Sequence, residues 1–222
     1  MGFLYETHMH TSQVSACATS TAAEQVRAYK EKGYTGVIIT DHFINGYSTC
    51  TQYAPWEAKM RHIVSGFEAA KKEGDRCGLD VFLGWEYTIK GTDFLTYGLG
   101  LDFLLAHPDV DKLTAEAYSE LVHKCGGYIA QAHPYRVAWY IENCFPADWR
   151  LLDGVEIFNA MDSSESNEKA RKFAKQHNLP VQAGSDSHSV RHPRYSGVAL
   201  SEKAKDIFDI IEAIKGGNVD LI

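Results

Sequence analysis

Short apolar runs alternate with amphipathic stretches along most of the 222 residues. Apolar runs of about four to eight residues are typical of buried strands, whereas apolar positions three and four residues apart are typical of helices. Strands that alternate with helices form parallel sheets, so the order predicts an α/β fold. The pattern places strands near 3–9, 36–41, 80–87, 127–132, 154–159 and 180–184, and helices near 21–33, 54–74, 114–124, 163–177 and 203–215.

Residues 88–101 allow two interpretations. Phe94, Leu95, Tyr97 and Leu99 fit either an extra hairpin strand or a loop, and we favour the strand. No linker, repeat or low-complexity tract interrupts the series, and a hydrophobic content of 45% is enough to bury a sizeable core. We therefore predict a closed or nearly closed α/β barrel of about seven strands, in one domain spanning 1–222.

The net charge, the hydrophobic runs and the cysteines limit the classes of protein to which the chain can belong. The net charge of -7 argues against a broad nucleic-acid-binding surface. No apolar stretch reaches the ~18 residues of a membrane span, and the N-terminus lacks the layout of a signal peptide, so we expect a cytoplasmic protein without a membrane partner. An odd number of cysteines without a C-x-x-C pair favours a reducing compartment over a disulfide framework. The five are Cys17, Cys50, Cys77, Cys125 and Cys144.

Histidines and acidic residues stand where the predicted strands end. The carboxyl ends of parallel barrel strands meet at one face, so these side chains are expected to converge. Imidazoles combined with carboxylates suit zinc, iron or manganese. The sequence therefore predicts a metal site, and the candidate ligands are His8, His10, His42, Glu86, His133, Asp186 and His188.

Each candidate also has a simpler interpretation. His8 and His10 lie on one side of a strand, as two solvent-facing histidines would. Glu86 can bridge two cations as no imidazole can, or it can pair with a basic residue. His133 could be a hydrogen-bonded core histidine. Asp41 is expected to cap the next turn or to support a neighbouring ligand, and it is also a catalytic candidate.

Taken together, the motifs resemble those of the polymerase and histidinol phosphatase (PHP) superfamily of metal-dependent phosphoesterases. They appear in the family's order and span nearly the whole chain. The resemblance implies a distorted seven-stranded α/β barrel of the PHP type. The matching pieces are His8-Met9-His10-Thr11, Thr40-Asp41-His42, Gly84-Trp85-Glu86, Ala132-His133-Pro134 and Gly184-Ser185-Asp186-Ser187-His188.

The resemblance also implies two or three divalent ions, zinc, manganese or iron. His8, His10, Glu86 and Asp186 would hold the first ion, and Glu86 would bridge to a second beside His133. His42 and His188 would hold the third.

At two of these ion sites the chain lacks a ligand that the family often has. The second ion often receives another histidine from the strand after Glu86, where this chain offers Leu95 or Thr96, so His107 is a candidate to complete it. The third often receives an Asp or His just past the first motif. Here Cys17 is either a soft substitute that favours zinc or a buried structural thiol.

By this resemblance the leading function is hydrolysis of a small phosphomonoester, similar to histidinol phosphate or derived from a nucleotide. A hydroxide between two ions bridged by Glu86 would attack phosphorus. His188 or His42 would protonate the leaving group if the third ion is absent, and a metal-bound water would do so if it is present. Arg136 is the first candidate to bind the phosphate, followed by Arg191 and Arg194. The alternatives are an amidohydrolase-type metal hydrolase and a catalytically weak, regulatory metal-binding domain.

Overall fold

The structure, a computed structural model, describes residues 2–138, 141, 145–191 and 193–222. Every strand and helix predicted from the sequence is present, and residues 92–97 form the expected hairpin strand. The strands are β1 (Phe3–Met9), β2 (Gly36–Ile39), β3 (Asp80–Ile89), β4 (Thr92–Tyr97), β5 (Tyr128–Gln131), β6 (Gly154–Asn159), β7 (Val181–Gly184), β8 (Val198–Leu200) and β9 (Asp220–Leu221). The helices are α1 (Ala22–Glu31), α2 (Trp56–Cys77), α3 (Leu101–Ala106), α4 (Ala115–Lys124), α5 (Ser164–His177) and α6 (Ile207–Lys215).

All nine strands belong to one sheet, in the order β7-β6-β5-β4-β3-β2-β1-β8-β9. Strands β1 to β3 pair in parallel, as do β5 to β7, and β4 runs antiparallel to both of its neighbours. A parallel bridge between Met9 and Ser187 joins the end of β1 to the segment after β7. The sheet therefore forms a nearly closed barrel, as predicted, but it has nine strands in the described part of the chain rather than about seven.

The sequence pattern missed three elements of this fold. Strands β8 and β9 extend the sheet outside the barrel, where β8 pairs antiparallel with the first residues of β1. Both strands are short, two or three residues long, and helix α3 has six residues. Elements of that length carry too few residues to display a period. None of the helices in the described part of the chain is long and apolar enough to span a membrane.

Beneath the predicted metal-site face, the barrel interior contains a hydrogen-bonded layer. Tyr97 Oη donates to the Thr7 carbonyl at 2.8 Å, Gln182 Nε2 donates to Tyr97 Oη at 2.8 Å, and Tyr128 Oη donates to Gln182 Oε1 at 3.1 Å. Tyr97 and Tyr128 also stack, with ring centroids 5.6 Å apart. Because every buried polar group here has a partner, this layer can support a polar site above it without a large desolvation cost.

Strand β1 contains one more residue than its partner β2 between paired positions. Tyr5 and Glu6 pair with consecutive residues of β2, whereas the next pair, Met9 with Ile39, skips two residues on β1 and one on β2. Such a bulge re-aims the side chains that follow it. Glu6 accordingly accepts a hydrogen bond from Tyr29 of α1, while His8 contacts groups inside the barrel end.

Helix α2 crosses the barrel with a glycine at its closest approach. A Cβ atom at Gly66 would lie 2.1 Å from Asp41 Oδ2 and 2.5 Å from Thr11 Oγ1. Those two atoms are themselves hydrogen-bonded at 2.7 Å, so neither can move without breaking that contact. The absence of a side chain at position 66 therefore allows α2 to pack against the segments that follow β1 and β2.

We expect Gly66→Ala to lower the free energy of unfolding by about 1–3 kcal/mol, because overpacking outweighs the ~1 kcal/mol gain in helix propensity. Chemical denaturation followed by circular dichroism measures this difference. Glu68→Ala, on the exposed face of the same helix, is the matched control and should change stability by less than about 0.5 kcal/mol. A Gly66→Ala protein as stable as the wild type would contradict the packing argument.

Candidate metal centre

His8 and His10 present two nitrogen atoms to one point at the end of the barrel. Both side chains are fully buried, and their Nε2 atoms are 3.2 Å apart. His8 Nδ1 lies 3.1 Å from Glu156 Oε1, and His10 Nδ1 lies 2.9 Å from Ser15 Oγ, whose hydroxyl donates to Asp41. In the neutral imidazoles each Nδ1 therefore carries the proton, and each Nε2 is left with a lone pair.

Two carboxylates complete a group of four around that point. His8 Nε2 lies 3.3 Å from Glu86 Oε1 and 3.4 Å from Asp186 Oδ1. His10 Nε2 lies 3.4 Å from Glu86 Oε2 and 3.2 Å from Asp186 Oδ1. Ligands about 2.05 Å from a tetrahedral ion are about 3.3 Å from one another, so the spacing and the donor set fit a divalent cation such as zinc.

A second group of ligand atoms lies on the other side of Glu86. Glu86 Oε1 is 3.1 Å from His133 Nε2, which is 3.9 Å from Asp93 Oδ2. Ligand atoms of Glu86, Asp93 and His133 all lie within 4.8 Å of one another. Glu86 therefore stands between two candidate ion positions, as a bridging carboxylate must.

Asp93 was missed by the sequence analysis, which looked for this ligand at Leu95 or Thr96 or at His107. Leu95 instead packs in an apolar cluster, and His107 Nδ1 donates to the Phe103 carbonyl at 2.7 Å. The reason is the direction of β4: in an antiparallel strand the amino end, not the carboxyl end, lies at the ligand-bearing face. The signal available in the sequence was an acid two residues before Leu95, on the same side of the strand.

A third group contains His10, His42 and His188, with ligand atoms within 4.8 Å of one another. His42 Nδ1 is buried and lies 2.8 Å from Glu86 Oε2. Burial raises the pKa of the adjacent Cys17 thiol, but hydrogen bonds with His188 and His42 lower it to about 7. Three imidazoles beside a thiol are the donor set of a further cation site.

Glu156, on β6, supports this arrangement and was also missed by the sequence analysis. Besides the contact with His8, its carboxylate accepts hydrogen bonds from the His133 backbone N–H at 3.0 Å and from Asn159 Nδ2 at 2.8 Å. A carboxylate behind a ligating histidine fixes the tautomer and the ring orientation. The signal in the sequence was an acid in the middle of an apolar strand, Gly154–Asn159, which buries its side chains on both faces.

Asp41 lies behind the ligands rather than among them. Its carboxylate accepts hydrogen bonds from Thr11 N at 2.6 Å, Thr11 Oγ1 at 2.7 Å and Ser15 Oγ at 2.7 Å. Burial raises its pKa to about 6, against these hydrogen bonds. The contacts place Asp41 as a support for His10 through Ser15, one of the two alternatives taken from the sequence, and its catalytic role stays a prediction.

Two candidate ligands have backbones in the left-handed region. His133 has φ 26° and Asp186 has φ 53°, values that non-glycine residues adopt rarely. Asp186 is held by Arg136 Nη1, 2.6 Å from its Oδ2, and by Asn159 Nδ2 at 3.4 Å. Backbone strain of this kind persists where the surroundings over-determine it, and it clusters at ligand-binding sites.

The buried carboxylates and histidines of the site shift one another's pKa. Burial raises the pKa of Glu86 and of Asp186, but the neighbouring cationic groups lower both well below the ordinary value. Burial lowers the pKa of His8, and the carboxylates of Asp186, Glu156 and Glu86 raise it well above its ordinary value. Burial, His188 and His42 together hold the pKa of His10 well below its usual range. The carboxylates are therefore ionised and compete for cationic partners.

Arg136 faces a cleft next to the ligands. The cleft has a volume of about 270 Å³, and Arg136, Asp186, His188 and the first residues of α5 line it. The other two arginines named from the sequence do not line it. Arg194 donates to the Ala160 carbonyl at 2.9 Å, and Arg191 is exposed, with its charge near Glu24 of α1.

Comparison with known proteins gives a family match over part of the chain. Residues 164–219 match the family described as PHP-associated. No curated protein matches the sequence. A two-domain protein from Bacteroides vulgatus that contains a predicted PHP-like metal-dependent phosphoesterase has a TM-score of 0.71 at 14% identity, and the match covers 100% of this chain and 65% of that one.

Two further solved structures are similar. An amidohydrolase from Chromobacterium violaceum, with bound sulfate and no metal, has a TM-score of 0.62 at 14% identity, with coverage of 95% and 96% of the two chains. A lesion-specific endonuclease from Pyrococcus furiosus has a TM-score of 0.64 at 18% identity, and the match covers 100% of this chain and 58% of that one. The chain thus spans less than two thirds of the length of the Bacteroides protein and of the endonuclease. At these identities the likeness is one of fold.

The resemblance found in the sequence motifs is therefore confirmed: the chain has the fold of the PHP-like metal-dependent phosphoesterases, and its C-terminal part matches the PHP-associated family.

Proposed function

We propose that the protein hydrolyses a small phosphate monoester in a reaction that requires divalent cations. The observation that carries this proposal is the group formed by His8, His10, Glu86 and Asp186, whose ligand atoms have the mutual spacing of a coordination sphere. Asp186 of this group also lines a cleft that contains an arginine. His133 and Asp93 would share a second ion with Glu86, and His42 and His188 would hold a third. Such ions lower the pKa of water and neutralise charge on phosphoryl oxygens.

The cleft supplies groups that suit a phosphate. Arg136 is held in place by Asp162, at 2.7 Å from its Nε, and by Asn159, at 2.9 Å from its Nη2, so its guanidinium is oriented before a substrate arrives. Ser163, which caps α5, and Ser166 in the first turn of that helix also line the cleft. Helix N-termini favour anions, so both features stabilise a phosphoryl group at this position.

Hydrolysis adds a water oxygen to phosphorus and releases an alcohol, whose oxygen must take up a proton. His188 lines the cleft, and its Nδ1 donates to the Asp186 carbonyl at 2.8 Å. That bond leaves Nε2 as the nitrogen that can pass a proton to the leaving oxygen. We therefore propose that His188, as an imidazolium, takes this role when the third ion is absent, in preference to His42, which does not line the cleft.

The size of the cleft favours a small ester over a nucleic acid. Sites that enclose drug-sized ligands measure roughly 300–1,000 Å³, and this cleft measures about 270 Å³. The net charge of -7 also repels a phosphate backbone. The amidohydrolase-type reaction remains the second candidate, since a structurally similar protein carries that name.

Glu86→Gln tests the bridging role. An amide offers only one acceptor oxygen, so we expect fewer bound ions per chain and a loss of turnover of about 100-fold or more. Elemental analysis of protein purified without chelators measures the metal, and a panel of phosphomonoesters and nucleotides measures phosphate release. Glu57→Gln, at an exposed position on α2, is the matched control.

Three results would contradict the proposal. Unchanged turnover in Glu86→Gln would remove the bridging role. Hydrolysis of cyclic amides without phosphate release would favour the amidohydrolase. Metal binding that raises thermal stability while no ester or amide is hydrolysed would favour a regulatory domain.

Glu156→Gln tests the support behind His8. Loss of the carboxylate weakens the orientation of His8 and the acceptor for the His133 N–H, so metal affinity should fall by about 10- to 100-fold. Competition with a chelator of known affinity measures the change. Glu120→Gln, exposed on α4, should leave affinity as it is. Equal affinity in the two variants would show that Glu156 serves the fold alone.

Arg136→Lys tests phosphate recognition. A lysine keeps the charge but loses the planar fork, so we expect KM for a phosphate ester and the inhibition constant of inorganic phosphate to rise together by about tenfold. Arg61→Lys on the exposed face of α2 is the control. Because Arg136 also holds Asp186, metal content is measured in parallel, and a loss of metal would assign the effect to Asp186 instead.

A further inference from the structure

Two exposed apolar side chains stand at the mouth of the cleft. Val137 is 83% exposed and Met161 is 50% exposed, yet both line the cleft beside Arg136 and His188. One follows β5 in the sequence and the other follows β6. We refer to Val137 and Met161 together as the apolar pair.

The apolar pair is held in place by the polar groups below it. Asn159 Oδ1 accepts hydrogen bonds from Arg136 Nη2 and from Met161 N, both at 2.9 Å. Arg136 also joins the two segments through Asp162, at 2.7 Å. The residue before Val137 and the residue after Met161 are thus bonded to each other, which fixes the backbone on both sides of the cleft mouth.

The lining of the cleft has a polar part and an apolar part. The polar lining residues, which we call the inner wall, are Arg136, Asp162, Ser163, Ser166, Asp186 and His188, and the apolar lining residues, which we call the outer wall, are the apolar pair and Ala138. An ester whose phosphoryl group contacts Arg136 on the inner wall can place its alcohol portion against the outer wall. Burying apolar surface there is favourable only if the alcohol portion is itself apolar, and a methionine thioether adds favourable contacts with a ring.

We propose that the apolar pair selects the leaving group, so that the substrate is the phosphate ester of a compact, flat, apolar alcohol, with one ring, rather than of a polyol or sugar. This inference rests on the proposed phosphomonoesterase function. The cleft volume of about 270 Å³ matches a phosphoryl group with about one ring.

The test compares benzyl phosphate with glycerol 1-phosphate, because both release a primary alcohol and differ chiefly in the polarity of that alcohol. The metal-loaded wild type should have the higher kcat/KM for benzyl phosphate. Met161→Ser and Val137→Ser should each lower kcat/KM for benzyl phosphate by about tenfold and change it for glycerol 1-phosphate by less than about twofold. The inhibition constant of inorganic phosphate should stay the same, since phosphate contacts only the inner wall.

Phe208→Ser is the matched control, because Phe208 is exposed to almost the same extent, 48%, and does not line the cleft. Equal losses on both esters in the two variants, or a wild-type preference for glycerol 1-phosphate, would overturn the inference and leave the proposed function intact. Release of phosphate from neither ester by wild-type protein with metal bound would overturn both. Thermal unfolding of each variant shows that it is folded.

Discussion

Two lone pairs that face each other across 3.2 Å are the constraint on which the site depends. In their neutral forms His8 and His10 are each protonated on the far nitrogen, toward Glu156 and Ser15, so their near nitrogens accept. In a buried setting the repulsion between them, and between the carboxylates of Glu86 and Asp186, would be relieved by a cation at their centre. The hydrogen bonds at the two Nδ1 atoms thus make positive charge favourable at the point that the two Nε2 atoms face.

Those supporting hydrogen bonds extend into the rest of the fold. Asp41 reaches His10 through Ser15 and needs the space that Gly66 leaves in α2. Glu156 ties β6 to β1 and to the start of the segment after β5. The bulge in β1 separates Glu6, which faces α1, from His8 and His10, which face the site. A change in packing far from the ligands can therefore alter their geometry.

Most of the barrel could be predicted from the sequence because its strands are apolar on both faces and end in polar motifs. The seven candidate ligands could be predicted for the same reason, since each follows an apolar run. Asp93 and Glu156 could not: Asp93 lies near the start of an antiparallel strand and Glu156 lies inside a strand, so neither occupies the carboxyl end of a predicted strand. Strands β8 and β9 are too short for a period. Cys144 lies outside the described residues, and the other four cysteines are free thiols.

The junction between β1 and β7, the first and last strands of the barrel, also matters for folding. Glu86 and Asp93 belong to one hairpin, whose turn at Lys90 and Gly91 has positive φ at both positions and closes locally. His8 and Asp186, by contrast, come from the first and last barrel strands, which meet through the bridge of Met9 with Ser187. Pairing elements so distant in sequence is the slow, entropically costly step for a chain of this topology. A cation held by both strands would join them across this junction, so metal affinity and closure of the barrel would be thermodynamically linked.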